Sequence, residues 1–182
     1  MPTPSLLDQP VDIESLAHPV SESDLSGLCI LLRESVHAGA SIGFLDPLSE
    51  SDALVYWRKV ALDLDGGHRL ILVARDAGRI VGTAQLALES RANGRHRAEV
   101  QKVMVSTSVR RRGIASLLVS DLERRARERG VRLLVLDTSE GPGGARAFYD
   151  ALGYSYVGGI PGYALDPDGA PARNAIYFKE LA

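Results

Sequence analysis

The chain of 182 residues has one cysteine and four histidines. Cys29 alone cannot form an intrachain disulfide, so the fold has to rest on packing. It falls in the series Leu25, Leu28, Cys29, Leu32, Val36, the spacing of a buried helix face, which makes it a core residue rather than a nucleophile. His18, His37, His68 and His96 are scattered without metal-ligand spacing, and no Ser-His-Asp or Cys-His arrangement stands out. The formal net charge is only −2, which gives no polyanion-binding surface and argues against a nucleic-acid partner. No apolar run approaches the ~18 residues that a membrane span requires, and the start lacks the pattern of a secretory signal, so a cytoplasmic location is expected. Two phosphate-binding fingerprints are missing as well: G-x-x-x-x-G-K-[ST] and G-x-G-x-x-G. There are no repeats and no linker. Residues Met1 to Gln9 hold little pattern and are expected to fray, and the remainder, 10–182, reads as one domain.

What is present is a strand that runs into a basic turn and then a helix. Val103-Met104-Val105 is apolar and mostly β-branched, as suits a strand. From Ile114 the period changes: Ile114, Leu117, Leu118 and Leu122 share one helix face. Between them lie Arg110, Arg111, Arg112 and Gly113. A strand-to-helix turn leaves backbone N–H groups unpaired at the positive end of the helix dipole. Gly113 lets a ligand approach the backbone, Ala115 stays small, and the arginines add charge. Together they ask for a phosphate or pyrophosphate on the stretch ending at Ser116.

Periodicity and turn signals outline the rest. Val11-Asp12-Ile13 begins a strand. Ser21 and Asp24 open a helix that runs to about His37, and Ala38 to Phe44 is small and flexible enough to wrap a ligand. Ser49 or Ser51 caps a second helix with Leu54, Trp57, Ala61 and Leu64 buried, ended by Gly66-Gly67. Leu70 to Ala74 and Ile80 to Leu88 form a hairpin about Asp76-Ala77-Gly78. Asn93-Gly94 turns the chain into a strand from Ala98 to Val105. The helix after Gly113 ends at Gly130 and carries a solvated face of Arg124, Arg125, Arg127 and Arg129. Val131 to Asp137 is a buried strand parallel to its predecessor. A short helix from Ala145 to Leu152, a strand at Tyr154 to Val157, a long connection and a strand from Ala175 to Lys179 complete the chain. The fold class is α+β.

Arg110-x-x-Gly113-x-Ala115 after a strand resembles the [QR]-x-x-G-x-[GA] motif of the GNAT N-acetyltransferases. Phe148-Tyr149-Asp150-Ala151-Leu152-Gly153-Tyr154 resembles that family's second signature, and both lie in the family's order. The order β-α-α-β-β-β-α-β-α-β-β is also that of the family. Several longer stretches resemble its tabtoxin-resistance type: Glu34 to His37, Ala40 to Phe44, Ala98 to Val105, Leu136 to Thr138, Pro161 to Tyr163 and Ile176 to Lys179.

The resemblance implies a mixed, mostly antiparallel sheet of about seven strands with helices on both faces. It implies acetyl-CoA as cosubstrate, held by Val103, Met104, Val105 and the residues from Arg110 through Ile114 and Ala115 to Ser116. It further implies a small amine as acceptor, such as a toxin or antibiotic, direct attack in a ternary complex, no metal, and a monomer or homodimer. A protein N-terminal or lysine acetyltransferase and a non-catalytic acyl-CoA module are the competing readings. A β-bulge in the strand before the turn is expected to free a backbone N–H of Met104 as an oxyanion donor. Tyr149 is expected to protonate the leaving thiolate, slightly uphill from a Tyr pKa of about 10 to a thiol pKa of about 8.5. Glu99, alternating with Gln101 and Val103, and Asp137 at the next strand end are expected to accept the amine proton. Phe44, Gln101 and Tyr163 complete the expected substrate site. Many relatives carry Asn seven residues before this Tyr; here Pro142 stands there.

Overall fold

The computed structural model describes residues 11–140 and 145–182. Its main sheet contains β1 (Asp12–Ser15), β2 (Arg69–Asp76), β3 (Arg79–Leu88), β4 (Arg97–Val105), β5 (Leu133–Ser139), β6 (Ser155–Gly158) and β9 (Asn174–Glu180), in the order β1-β2-β3-β4-β5-β9-β6. Every neighbouring pair is antiparallel except β4–β5. The helices are α1 (Glu22–His37), α2 (Glu50–Asp65), α3 (Ile114–Glu128) and α4 (Arg146–Ala151). The seven-stranded mixed sheet expected from the sequence is borne out. The long connection before β9 holds an additional two-stranded ribbon of β7 (Ala164–Leu165) and β8 (Pro171–Ala172).

Local chemistry sets the helix starts. Ser21 Oγ accepts the Asp24 N–H at 3.1 Å, and Ser49 Oγ accepts the Asp52 N–H at 3.0 Å, so Ser49 rather than Ser51 is the second cap. Acidic residues in both first turns oppose the helix dipole.

Strand alternation then divides the core. Ile71 and Val73 of β2 pack with Leu28, Cys29, Leu32, Val36 and Trp57 on the side of α1 and α2. Leu70, Leu72 and Ala74 face the other way, against Leu118, Leu122 and Tyr177 on the side of α3. Cys29 is buried, as its helix spacing predicts. On α2, Trp57 and Ala61 are buried together with Ala53 and Val60, while Leu54 and Leu64 are only partly covered. Gly82 lets α3 press close to β3, since an added Cβ would lie 3.0 Å from Leu118 Cδ1 and 3.2 Å from Ile114 Cγ2.

Two irregularities in β4 matter most. Gln101 pairs with Gln85 and Met104 with Thr83, so β4 carries one extra residue, and Lys102 takes a positive φ of 50°. The bulge reverses side-chain parity. Ala98 and Val100 face the α3 cluster before it, and Val103 and Val105 pack there after it. The expected alternation of Glu99 and Gln101 with Val103 is therefore broken. Secondly, β4 and β5 pair only over Arg97↔Leu133, Ala98↔Leu134 and Glu99↔Val135. Beyond that β5 continues along β9 to Ser139↔Asn174, and the two central strands part.

Candidate active site

The turn from β4 to α3 is built as an anion cradle. A 3-10 turn, Thr107–Val109, leads into Arg111 at φ 63° and Gly113 at φ 76°, so the left-handed conformation recurs within three residues. Such alternations turn consecutive N–H groups to one side. The first bond of α3 runs from Leu117 N–H to Gly113 C=O at 3.0 Å, and no side chain caps the helix. The N–H groups before Leu117 are thus left for a ligand. Nothing lies within 4 Å of a Cβ built on Gly113. A cavity of about 660 Å³ opens here, lined by Arg110, Arg111, Gly113 to Ser116 and the apolar Val103, Val105, Val109 and Phe148.

Arg112 turns elsewhere. Its Nη1 donates to Asp76 Oδ2 at 2.8 Å, so its side chain ties the turn to the β2–β3 hairpin rather than lining the cavity. Glu34 of α1 clamps the same loop from below. Its Oε1 accepts the Thr107 N–H at 2.6 Å, the Ser106 hydroxyl at 3.0 Å and the Thr107 hydroxyl. Burial alone would raise the Glu34 pKa, but these donors outweigh it and hold the carboxyl below its usual range.

The parting of β4 from β5 exposes backbone. Ser106 N–H donates to Val81 C=O at 2.8 Å. Because Gly82↔Val105 and Thr83↔Met104 follow in register, Met104 N–H also points to β3, and those of Val103 and Val105 face the gap. This corrects the expectation that Met104 supplies the free donor. The strand is splayed as expected, but the bulge turns the N–H groups of Val103 and Val105, rather than that of Met104, to the gap.

A second cavity, of about 480 Å³, occupies the other side of the gap. Its walls come from the α1–α2 loop (Ser41 to Gly43), from α2 (Tyr56 and Lys59), from β4 and from the end of β5, with Tyr163 and the β7–β8 ribbon above. Glu99, Gln101, Asp137 and Tyr149 all line it, so five of the six residues expected to act on substrate meet in one place, Tyr163 being the fifth. Phe44 does not line it. Its ring packs edge-on against Tyr56 at 5.2 Å and so supports the wall. Residues Lys102, Lys59, Arg69 and Arg173 also line the cavity, and sequence reasoning missed them. The signal available for Lys102 was a polar pair, Gln101-Lys102, interrupting an apolar strand.

Tyr149 stands in both cavities, together with Val103 and Ala145. It is buried among the rings of Phe148, Tyr154 and Tyr177. Burial, and secondarily the charge of Asp137, push its pKa well above the ordinary phenol value. Its proton is secure at neutral pH, and passing that proton to a thiolate is further uphill than the sequence alone implied. Pro142 lies outside the described residues. No group of three His, Cys, Asp or Glu side chains is arranged to hold a metal among the described residues. No described helix is long and apolar enough to cross a membrane.

Residues 36–154 match the model of the acetyltransferase (GNAT) family. The chain belongs to that family and is an N-acetyltransferase. Over 119 residues it is 34% identical to an uncharacterized N-acetyltransferase in the hisH-hisA intergenic region of Azospirillum brasilense, covering 64% of this chain and 69% of that one.

Among solved structures, the ribosomal-protein-alanine N-acetyltransferase of Brucella melitensis superposes with a TM-score of 0.77 at 23% identity, covering 93% of this chain and 99% of that chain. The phosphinothricin acetyltransferase of Sinorhizobium meliloti, in complex with acetyl-CoA, superposes with a TM-score of 0.76 at 22% identity, covering 94% and 89%. These two act on different acceptors yet superpose equally well, so the shared fold does not select the acceptor.

Proposed function

We propose that the chain acetylates the amine of a small molecule by direct attack in a ternary complex. The observation that carries this reading is the meeting of the two cavities at Val103, Ala145 and Tyr149. The cavity on the α3 side fits the donor: free N–H groups and Arg110 and Arg111 at one end suit a diphosphate, and the apolar lining suits an extended acyl carrier. Bound there, acetyl-CoA supplies an activated acetyl thioester. The N–H of Val103 would donate to a carbonyl oxygen placed at the junction. Tyr149 would give its proton to the departing sulfur. Glu99 or Asp137 would take the amine proton, directly or through a water.

The acceptor cavity is walled by the α1–α2 loop, α2, the strand ends and the β7–β8 ribbon, which suits a compact amine better than an extended polypeptide. An amino acid of the tabtoxin type belongs to that class of acceptor. The test is thiol release from acetyl-CoA with a panel of small amines, set beside peptides offering a free N-terminus or a lysine. Small amines should lead in kcat/KM by at least about tenfold. Peptides matching or exceeding them would favour the protein acetyltransferase reading. No release with either, while acetyl-CoA still binds, would favour the non-catalytic one.

A further inference from the structure

The acceptor cavity carries two opposite sets of charge. Glu99 and Asp137 belong to β4 and β5, and neither forms an ion pair within 4 Å among the described residues. On the α2 side stand Lys102 and Arg69, and Lys59 and the carboxylate of Asp63, which pairs with Arg69, also line the cavity. The bulge turns the Lys102 side chain toward α2, where its Nζ lies over the rings of Phe44 and Tyr56 at 5.8 and 5.6 Å from their centroids. It makes no hydrogen bond and no ion pair within 4 Å among the described residues. Arg69 is held rigidly. Its Nη1 donates to Gln85 Oε1 and to Gln101 Oε1, both at 2.8 Å, and its Nε reaches Asp63 at 3.3 Å. Gln85 is fully buried and passes the network on to the Tyr56 hydroxyl at 3.2 Å. A guanidinium locked by hydrogen bonds and a half-buried ammonium with no ion pair within 4 Å among the described residues give this wall room for an added anion.

We propose that the acceptor is an amine that also carries an anionic group, a carboxylate in the simplest case, held by Lys102 and Arg69 while its ammonium end lies toward Glu99 and Asp137. This rests on the acetyl-transfer reading and makes Lys102 a specificity-determining residue within it. Burial pushes the Lys102 pKa down, Glu99 opposes that, Arg69 adds to it and Asp137 again opposes it. A bound anion completes the balance and keeps the ammonium charged.

The test pairs each member of a series of ω-amino acids with the n-alkylamine of equal length and with the corresponding ω-amino amide. Two quantities are read: kcat/KM for thiol release, and calorimetric binding to the enzyme saturated with CoA. The carboxylate member should be favoured by about 10- to 100-fold over its neutral partners, as for a charge-assisted contact in a partly buried site. Lys102→Met should collapse that ratio, and Lys102→Arg should keep part of it. Using the ratio removes any general damage done by the substitution. A carboxylate preference in binding with no acetyl transfer refutes the acetyl-transfer reading and leaves the anion site standing. No carboxylate preference in either readout, or a preference that persists undiminished in Lys102→Met, overturns the anion site.

Discussion

Replacing Tyr149 with Phe separates chemistry from packing, because the structure gives the ring and the hydroxyl different tasks. The ring is 6% exposed and lies 5.0, 5.5 and 5.8 Å from the centroids of Phe148, Tyr154 and Tyr177. Phe keeps all three contacts, so stability should change by less than ~1 kcal/mol, or under ~3 °C in melting temperature for a chain of this size. The hydroxyl is the proposed acid at the junction of the two cavities. Loss of a general acid costs about 10²–10⁴-fold, which is ~3–5 kcal/mol of barrier.

The raised pKa places this case low in that range, since a weaker acid contributes less to a transfer whose receiving thiolate has a pKa of about 8.5. A fall of about 10²–10³-fold in kcat is expected, with acetyl-CoA affinity little changed. The assay is single-turnover acetyl transfer by rapid quench, which isolates the chemical step from product release. A Phe variant within threefold of the parent in that step would remove Tyr149 from the mechanism. The pKa direction adds an independent check. Burial keeps the phenol protonated, so the parent's rate should show no loss from Tyr149 ionisation below about pH 10. An alkaline decline with a lower midpoint that disappears in the Phe variant would refute the burial argument.

Two further substitutions probe groups around that step. Glu99→Gln keeps the shape and removes basicity: if Glu99 accepts the amine proton, kcat/KM falls and partly recovers as pH rises and more amine is already neutral. A rise in KM at constant kcat would instead mark Glu99 as an electrostatic attractor, and a pH–rate profile identical to the parent would leave Asp137 or a water as acceptor. Glu34→Gln weakens the clamp on the loop before the cradle. At pH 7 it should cost about 1–2 kcal/mol, as charge-assisted bonds become neutral ones, and raise the KM for acetyl-CoA. The Glu34 pKa is depressed in the folded state, so its stabilisation is present above the unfolded carboxyl value and fades as pH falls through the folded one. Chemical denaturation of the two proteins should converge below about pH 4, and a gap that stays constant to acid pH would contradict the clamp.

Much of this molecule is legible along the chain because the relevant physics is local. Helix and strand periods, the Ser21 cap and the change of period at Gly113 all act within a few residues, and they locate the elements and the anion cradle. Glu99, Asp137 and Tyr149 could be placed near one another because element order implies a sheet in which their strands and helix adjoin.

What the chain alone did not reveal depends on pairing between distant segments. The extra residue at Lys102 exists only relative to β3, and it decides that Val103 rather than Met104 turns its N–H to the gap. Arg110, Arg111 and Arg112 look equivalent in sequence until Asp76, on another hairpin, engages the third. Phe44 lies close in sequence to residues that wall the cavity, yet it packs behind Tyr56. Arg69 is held in the wall of the second cavity only because Gln85 and Gln101, from two other strands, converge on one of its nitrogens. A side chain's partner is set by which segments the sheet brings together, and that information is held by register and burial rather than by any local run of residues.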